Sequence, residues 1–256
     1  MNSNMDLLKG KKALVTGGSR GIGRSISKTF ADNGAQVVFT YYKKRDIAIE
    51  TLSKLSGEGH QCLELDLRND EQTEKAVIDA ITIMDGLDVL VNNAGIFIDH
   101  PIDKMSFREW KNSWQSTLDT NLIGPANLCF YSAKHFIKEK RGKIINISSR
   151  GAYRGEPNAP AYGASKAGLN SLSQSLAVAL APYNIFVGAV APGFVETDMT
   201  NEILSGPEGK SIINQSPMKR AGKPEEIANA VMMLSMDGID YASGTVIDLN
   251  GASYLR

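Results

Sequence analysis

The sequence predicts an α/β fold, a single domain on a doubly wound parallel sheet, and three features lead there. Short apolar, largely β-branched runs recur at 13–16, 37–41, 62–65, 89–92, 143–148, 186–191 and 245–249, each the length of a strand buried on both faces. Between them lie amphipathic stretches such as 25–33, 71–84 and 166–180, with apolar residues at helical spacing and Gly or Asn near their ends. Strand and helix alternate throughout. Strands apolar on both faces and joined through helices pair in parallel by crossovers, with helices on both sides of the sheet. Such a sheet takes ligands at the carboxyl ends of its strands.

The 256 residues, 42% apolar and 22% charged, suit one large core. No repeat, low-complexity tract or long linker divides them, so 1–256 reads as one domain. The 28 basic and 28 acidic side chains cancel, which argues against a nucleic-acid or anionic-membrane partner. The first twelve residues are polar, and no run approaches the ~18 apolar residues of a membrane span; a cytoplasmic protein is expected. Cys62 and Cys129 sit in apolar surroundings and read as buried free thiols. Segment 197–224 is long, carries Pro and Gly, and is polar in its middle. It reads either as a substrate lid with some helix of its own or as a solvated loop.

The strand at 11–16 runs into Gly17, Gly18, Ser19, Arg20, Gly21, Ile22 and Gly23 before a helical pattern begins. Such glycines permit a tight turn and let N–H groups at a helix N-terminus approach a pyrophosphate, where the helix dipole favours the anion. The spacing Gly-x-x-x-Gly-x-Gly differs from Gly-x-Gly-x-x-Gly, but its place after the first strand of a βαβ unit indicates a Rossmann-like dinucleotide site. The adenosine ribose is read at the end of the second strand. There the chain is Thr40, Tyr41, Tyr42, Lys43, Lys44 and Arg45, with no carboxylate before Asp46. With Arg20, these bases favour the 2′-phosphate of NADP(H) over the 2′-hydroxyl of NAD(H).

The strand near 143–147 ends in Ser148 and Ser149, and a loop leads to Tyr162-Gly163-Ala164-Ser165-Lys166 at the start of a long helix. Tyr-x-x-x-Lys places the two side chains one turn apart on one face. An ammonium beside a phenol favours phenolate and lowers its pKa from about 10, making it a usable acid and base. By itself the pattern also fits ordinary helix packing.

In chain order the motifs are the glycine turn at 16–23, Asp66, Asn92-Asn93-Ala94-Gly95, Asn121, Ser149, Tyr162 with Lys166, Pro192-Gly193 with Thr197, and Asn250-Gly251. This set resembles the short-chain dehydrogenase/reductase family over nearly the whole chain. The resemblance implies that Tyr162 exchanges a proton with the substrate oxygen as hydride moves to or from nicotinamide. Ser149 would bind the same oxygen, Lys166 the nicotinamide ribose, and Asn121 would support a water chain that resupplies the proton. Ser148 competes for the serine role, but strand alternation turns the two apart and the family spacing selects Ser149. Asp66 and Leu67 would contact adenine, Asn93, Ala94 and Gly95 would flank the cofactor, and Pro192, Gly193, Val195 and Thr197 would surround the carboxamide. The implied substrate is a carbonyl compound or secondary alcohol, and no metal is needed.

Within the family, 191–199 is similar to 3-oxoacyl-[acyl-carrier-protein] reductases, which implies a 3-oxoacyl thioester, possible carrier-protein linkage and a homotetramer. The chain departs from that pattern at Ala179, Tyr183 and Gly188, while the basic run Lys138, Lys140 and Arg141 survives. Arg150 and Arg154 follow the serine and could bind a substrate anion or face solvent. Phe97, Tyr153, Phe194 and Met199 could form an apolar wall. Leu169, Leu172, Leu176 and Leu180 could pack subunits together or face the sheet. The alternatives are an NAD(H)-dependent alcohol or sugar dehydrogenase of the same family, an enoyl reductase, which would want a wider Tyr-to-Lys spacing, and a cofactor sensor without catalysis.

Overall fold

Adjacent residues of the central strands fall into different cores, which explains why the runs read as apolar without alternation. Leu14, Val38, Leu90 and Ile144 are buried on one face of the sheet, and their neighbours Val15, Phe39, Val91 and Ile145 on the other. The computed structural model describes residues 6–256; the first five, which open the polar N-terminal stretch, lie outside the described residues.

The strands are β1 (Lys12–Val15), β2 (Gln36–Tyr41), β3 (Gln61–Glu64), β4 (Val89–Asn92), β5 (Gly142–Ile147), β6 (Ile185–Pro192) and β7 (Val246–Leu249). They form one parallel sheet in the order β3-β2-β1-β4-β5-β6-β7. Each strand boundary is within one residue of the expected one. The order reverses between β1 and β4, which opens a crevice at their carboxyl ends.

The helices are α1 (Gly21–Asp32), α2 (Arg45–Leu52), α3 (Asp70–Met84), α4 (Phe107–Leu118), α5 (Gly124–Glu139), α6 (Gly151–Arg154), α7 (Pro160–Leu180), α8 (Asn201–Ser205), α9 (Gly209–Asn214) and α10 (Pro224–Ser235). Their starts follow local chemistry. Asn69 caps α3 by accepting from the Gln72 N–H, and Ser106 and Glu109 form a reciprocal capping box on α4. Segment 197–224 contributes α8 and α9 and returns to the body by a bridge between Val195 and Gly222.

Helix α7 does not present its leucines as an outer stripe. Leu169 and Leu180 are buried and Leu172 and Leu176 are half-buried, while Ser171, Gln174, Ser175 and Val178 face outward. No described helix is long and apolar enough to cross a membrane.

A buried polar chain fastens α7 to the sheet. Asn92 Nδ2 donates to Asn146 Oδ1 at 2.8 Å, and Asn146 Nδ2 donates to Ser173 Oγ at 2.8 Å. All three side chains are fully buried or nearly so, so losing the middle member strands polar atoms away from water. Asn146→Ala should therefore lower stability by about 1–3 kcal/mol in urea titrations followed by tryptophan fluorescence; an unchanged midpoint would contradict this account.

Candidate active site

The crevice begins where β1 turns into α1. Gly17 has φ +63°, and a Cβ on Gly23 would lie 2.2 Å from the Gly17 carbonyl oxygen, so a larger residue at 23 cannot keep this turn. Beneath it, Asn93 Nδ2 donates to the Thr16 and Gly17 carbonyls at 2.8 and 3.3 Å. Thr16 Oγ1 accepts from the N–H groups of Asn93 and Ala94 at 2.9 and 3.0 Å. Helix α1 has no side-chain cap at Arg20 and no acidic residue in its first turn. Its free N–H groups and positive dipole end fit a diphosphate.

From this turn a cleft of about 410 Å³ runs along the carboxyl ends of the strands. Its walls bring together Gly17, Ser19, Arg20, Gly21, Ile22 and Gly23, then Tyr41, Tyr42, Asp66 and Leu67, then Asn93, Ala94 and Gly95. Ser149, Tyr162, Lys166, Pro192, Gly193, Val195 and Thr197 close the other end. Lys43, expected among the cofactor residues, does not line it. At φ +60° its chain turns the ammonium onto the Tyr42 ring, 4.8 Å from the centroid, and Lys44 takes the place on the wall. Arg68 also lines the cleft, and nothing in its sequence neighbourhood marked it. A larger cavity of about 610 Å³ lies at the amino ends of the strands, where Lys143 pairs with Asp240 at 2.7 Å, and holds none of these groups.

Tyr162 is the third residue of α7. The Ser149 hydroxyl accepts from the Gly151 N–H at 3.0 Å and lines the cleft beside the phenol, whose pKa it lowers. Ser148 is turned away and buried, its hydroxyl donating to the Lys166 carbonyl at 3.3 Å. Lys166 Nζ donates to the Ile147 carbonyl at 2.8 Å and sits 5.8 Å from the Tyr162 ring centre.

Burial pushes the Tyr162 pKa up, the Ser149 hydroxyl pulls against it and the Glu156 carboxylate adds to the rise. Burial also penalises the ammonium and brings the Lys166 pKa down to about 8.

Asn121 lies in a π-helical turn, Asp119–Ile123, between α4 and α5. Its Oδ1 accepts from the Ile96 N–H at 2.8 Å, and its Nδ2 donates to the Ile96 carbonyl at 2.9 Å and to Ser165 Oγ at 3.2 Å. The side chain is thus engaged in holding the 95–98 loop against α7. A Cβ on Gly95 would fall 3.2 Å from Asn121 Oδ1 and 3.5 Å from Lys166 Nζ, so the loop passes close above both.

The same loop supplies a residue that the sequence did not single out. His100 is fully buried; its Nε2 accepts from the Ala161 N–H at 3.1 Å and its Nδ1 meets the Ile98 carbonyl at 2.7 Å. A backbone donor at Nε2 requires the Nδ1–H tautomer. His100 therefore satisfies an N–H in the first turn of the helix that carries Tyr162. Phe97 packs edge-on against Tyr162 with ring centroids 5.0 Å apart, as an apolar wall would.

Of the other residues expected at the substrate space, the two candidate anion-binding arginines and the wall residue Tyr153 lie elsewhere. Arg150 is buried toward the C-terminal tail, its guanidinium 5.2 Å over Phe194 and bonded to Ser253 Oγ at 2.8 Å. Tyr153 stacks on Tyr254, and Arg154 bonds Gln215 next to α9. Met199 does line the cleft. The basic run near Lys138 lies at the far end of α5, where Arg141 is 3.4 Å from Asp88, and does not border this cleft.

A parallel sheet with this strand order, an uncapped glycine-turn helix and a Ser–Tyr–Lys group at one cleft define the class. The chain belongs to the short-chain dehydrogenase/reductase family, oxidoreductases acting on carbonyl and alcohol groups. Residues 17–251 match the family described as Enoyl-(Acyl carrier protein) reductase. Among individual relatives, it is 39% identical over 250 residues to the 3-oxoacyl-[acyl-carrier-protein] reductase FabG of Aquifex aeolicus (strain VF5), covering 96% of this chain and 98% of that protein. The crystal structure of a dehydrogenase/reductase from Sinorhizobium meliloti 1021 aligns with a TM-score of 0.90 at 30% identity over 98% of both chains. A short chain dehydrogenase from Burkholderia cenocepacia J2315, in complex with NADP, aligns at 0.87 and 30% identity over 96% of this chain and 98% of its own.

The depressed Lys166 pKa carries a stability signature. Between about 8 and the ordinary 10.5 the unfolded chain binds a proton at this site that the folded chain has released, so the contribution of this site to stability rises with pH across that window and is flat below it. The wild-type stability minus that of Lys166→Met should rise by pH 10 relative to pH 7.5 in denaturant titrations; a difference that falls or stays level contradicts the assignment.

Proposed function

We propose that the chain is an NADP(H)-dependent reductase that interconverts a carbonyl and a secondary alcohol, with a 3-oxoacyl thioester as the substrate class. The observation that carries it is that Ser149, Tyr162 and, one turn on, Lys166 line the same cleft as the glycine turn. The adenosine end supports NADP(H), because Arg20, Lys44 and Arg68 line it and the end of β2 carries no carboxylate.

Nicotinamide, when bound, exchanges the hydride. The Tyr162 phenol donates its proton to the substrate oxygen during reduction and takes it back during oxidation. The Ser149 hydroxyl holds the same oxygen and fixes its distance from the phenol. Phe97 and Met199 shape the apolar side of the substrate space. Lys166 meets the ribose beside Tyr162, and Asn121 keeps the loop above it in place and supports proton resupply. We read 197–224 as a lid, because Thr197, Met199 and Thr200 reach the cleft and Arg154 ties Gln215 to the segment after the catalytic serine.

The family description names an enoyl reduction instead. The four-residue Tyr162–Lys166 spacing and the adjacent Ser149 favour a carbonyl oxygen as the proton acceptor. Loss of NADPH absorbance with 3-oxoacyl and 2-enoyl thioesters separates the two. Turnover of the 3-oxo compound, abolished in Tyr162→Phe with cofactor binding retained, is the expected result; turnover of the enoyl compound alone, or near-normal rates in the variant, refutes the mechanism.

Assembly as a homotetramer is the accompanying reading. Exposed Ile123 and Phe130 on and beside α5, and Val178, 79% exposed on α7, leave apolar surface that a second copy would cover. The two free cysteines suit a reducing, cytoplasmic setting. Light scattering should report four times the 27.7 kDa chain mass, and Phe130→Asp should lower it; a monomer at micromolar concentration contradicts this.

A further inference from the structure

The adenosine end of the cleft contains a cation that follows β3 rather than β2. Arg68 lies in an exposed loop, and its guanidinium is held in one orientation by two partners. Nε donates to Asp66 Oδ1 at 2.9 Å and Nη2 to Asp66 Oδ2 at 2.6 Å, a side-on pairing with the carboxylate. Nη2 also donates to the Tyr42 hydroxyl at 2.9 Å. Tyr42 directly follows β2, at the place where the ribose of a dinucleotide is read. The loop after β3 thereby delivers a positive charge to the end of β2.

A guanidinium has five N–H donors. Three are used by Asp66 and Tyr42, and the two on Nη1 have no acceptor among the described residues. The group stays 43% exposed and lines the cleft, so those donors can be reached. Lys43 packs over the Tyr42 ring at 4.8 Å, and Arg68 lies 5.7 Å from the same ring centre. One tyrosine thus collects two cations at the cleft mouth.

Asp66 makes the arrangement informative. An acidic side chain near the ribose disfavours a 2′-phosphate by repulsion. Here that carboxylate is neutralised by the arginine two residues on, and Arg68 holds the Asp66 pKa below its ordinary value. Asp66 can remain ionised in this site without presenting net negative charge to the ligand.

From this geometry we propose that Arg68, fixed by Asp66 and Tyr42, binds the 2′-phosphate of the cofactor through Nη1 and sets the preference for NADP(H) over NAD(H). The assignment rests on the NADP(H) reading above and adds a residue to it. Lysine cannot reproduce it, because the side-on grip on Asp66 needs the planar fork.

The test is binding of NADPH and NADH to the full-length protein, wild type, Arg68→Gln and Arg68→Lys, by tryptophan fluorescence quenching, with melting temperatures to confirm folding. Arg68 is exposed and carries no core packing, and Tyr42→Phe, which releases one of the two tethers, is the second variant should Arg68→Gln melt early. The expected result is roughly tenfold weaker NADPH binding in Arg68→Gln, as for loss of a charge-assisted hydrogen bond, with NADH changed less than about twofold, and little rescue by lysine. Where the wild type prefers NADPH, equal weakening of both cofactors in Arg68→Gln, or a preference the same as in the wild type, overturns the assignment of Arg68. A wild type that binds NADH as tightly as NADPH overturns the cofactor reading itself. The two failures are therefore distinguishable.

Discussion

The closure between β1 and β4 is the contact on which the rest of the site depends. These strands are neighbours in the sheet although far apart in the chain, and their following loops diverge to opposite faces. Asn93 and Thr16 lock the two strand ends together with hydrogen bonds to each other's backbone. The glycine turn rests on this lock, and the cleft floor follows from it. With the floor set, α1 directs its uncapped end toward one part of the cleft, and the 95–98 loop is directed over the other.

Control of the proton depends on burial more than on charge pairing. Lys166 and Tyr162 share one helix face, yet the ammonium is directed to a strand carbonyl and both groups are shifted toward their neutral forms. A low-dielectric pocket penalises either charge, so the phenol stays protonated and ready to donate. Its position is fixed from several sides, by Ser149, by Phe97, and by His100 at the start of the helix. Those residues come from the loop after β5 and from the loop after β4, so no single segment places the phenol.

Electrostatics at the other end of the cleft follow a different rule. Charges there are partly exposed and screened, and their orientation comes from short-range hydrogen bonding. Asp66 and Tyr42 orient Arg68, and the Tyr42 ring carries Lys43. The buried end manages protons, and the exposed end recognises an anion.

Period and composition were enough to find all seven strands, since a both-faces-buried strand leaves an unbroken apolar run that survives without any tertiary context. The glycine turn, Ser149, Tyr162 and Lys166 were legible for a related reason: each depends on spacing along one strand or one helix turn. What could not be read was direction. Lys43 turns away from the cleft at a backbone φ of +60° while Lys44 lines it, Arg150 turns to the tail rather than the cleft, and α7 hides two leucines that could have faced a partner. His100 and Arg68 acquire their roles from residues 61 and 26 positions away. The sequence by itself determined the elements and the reacting groups, because those are local. The tertiary structure alone decided where each side chain points and which charges meet, because those depend on contacts between segments brought together only when the sheet forms.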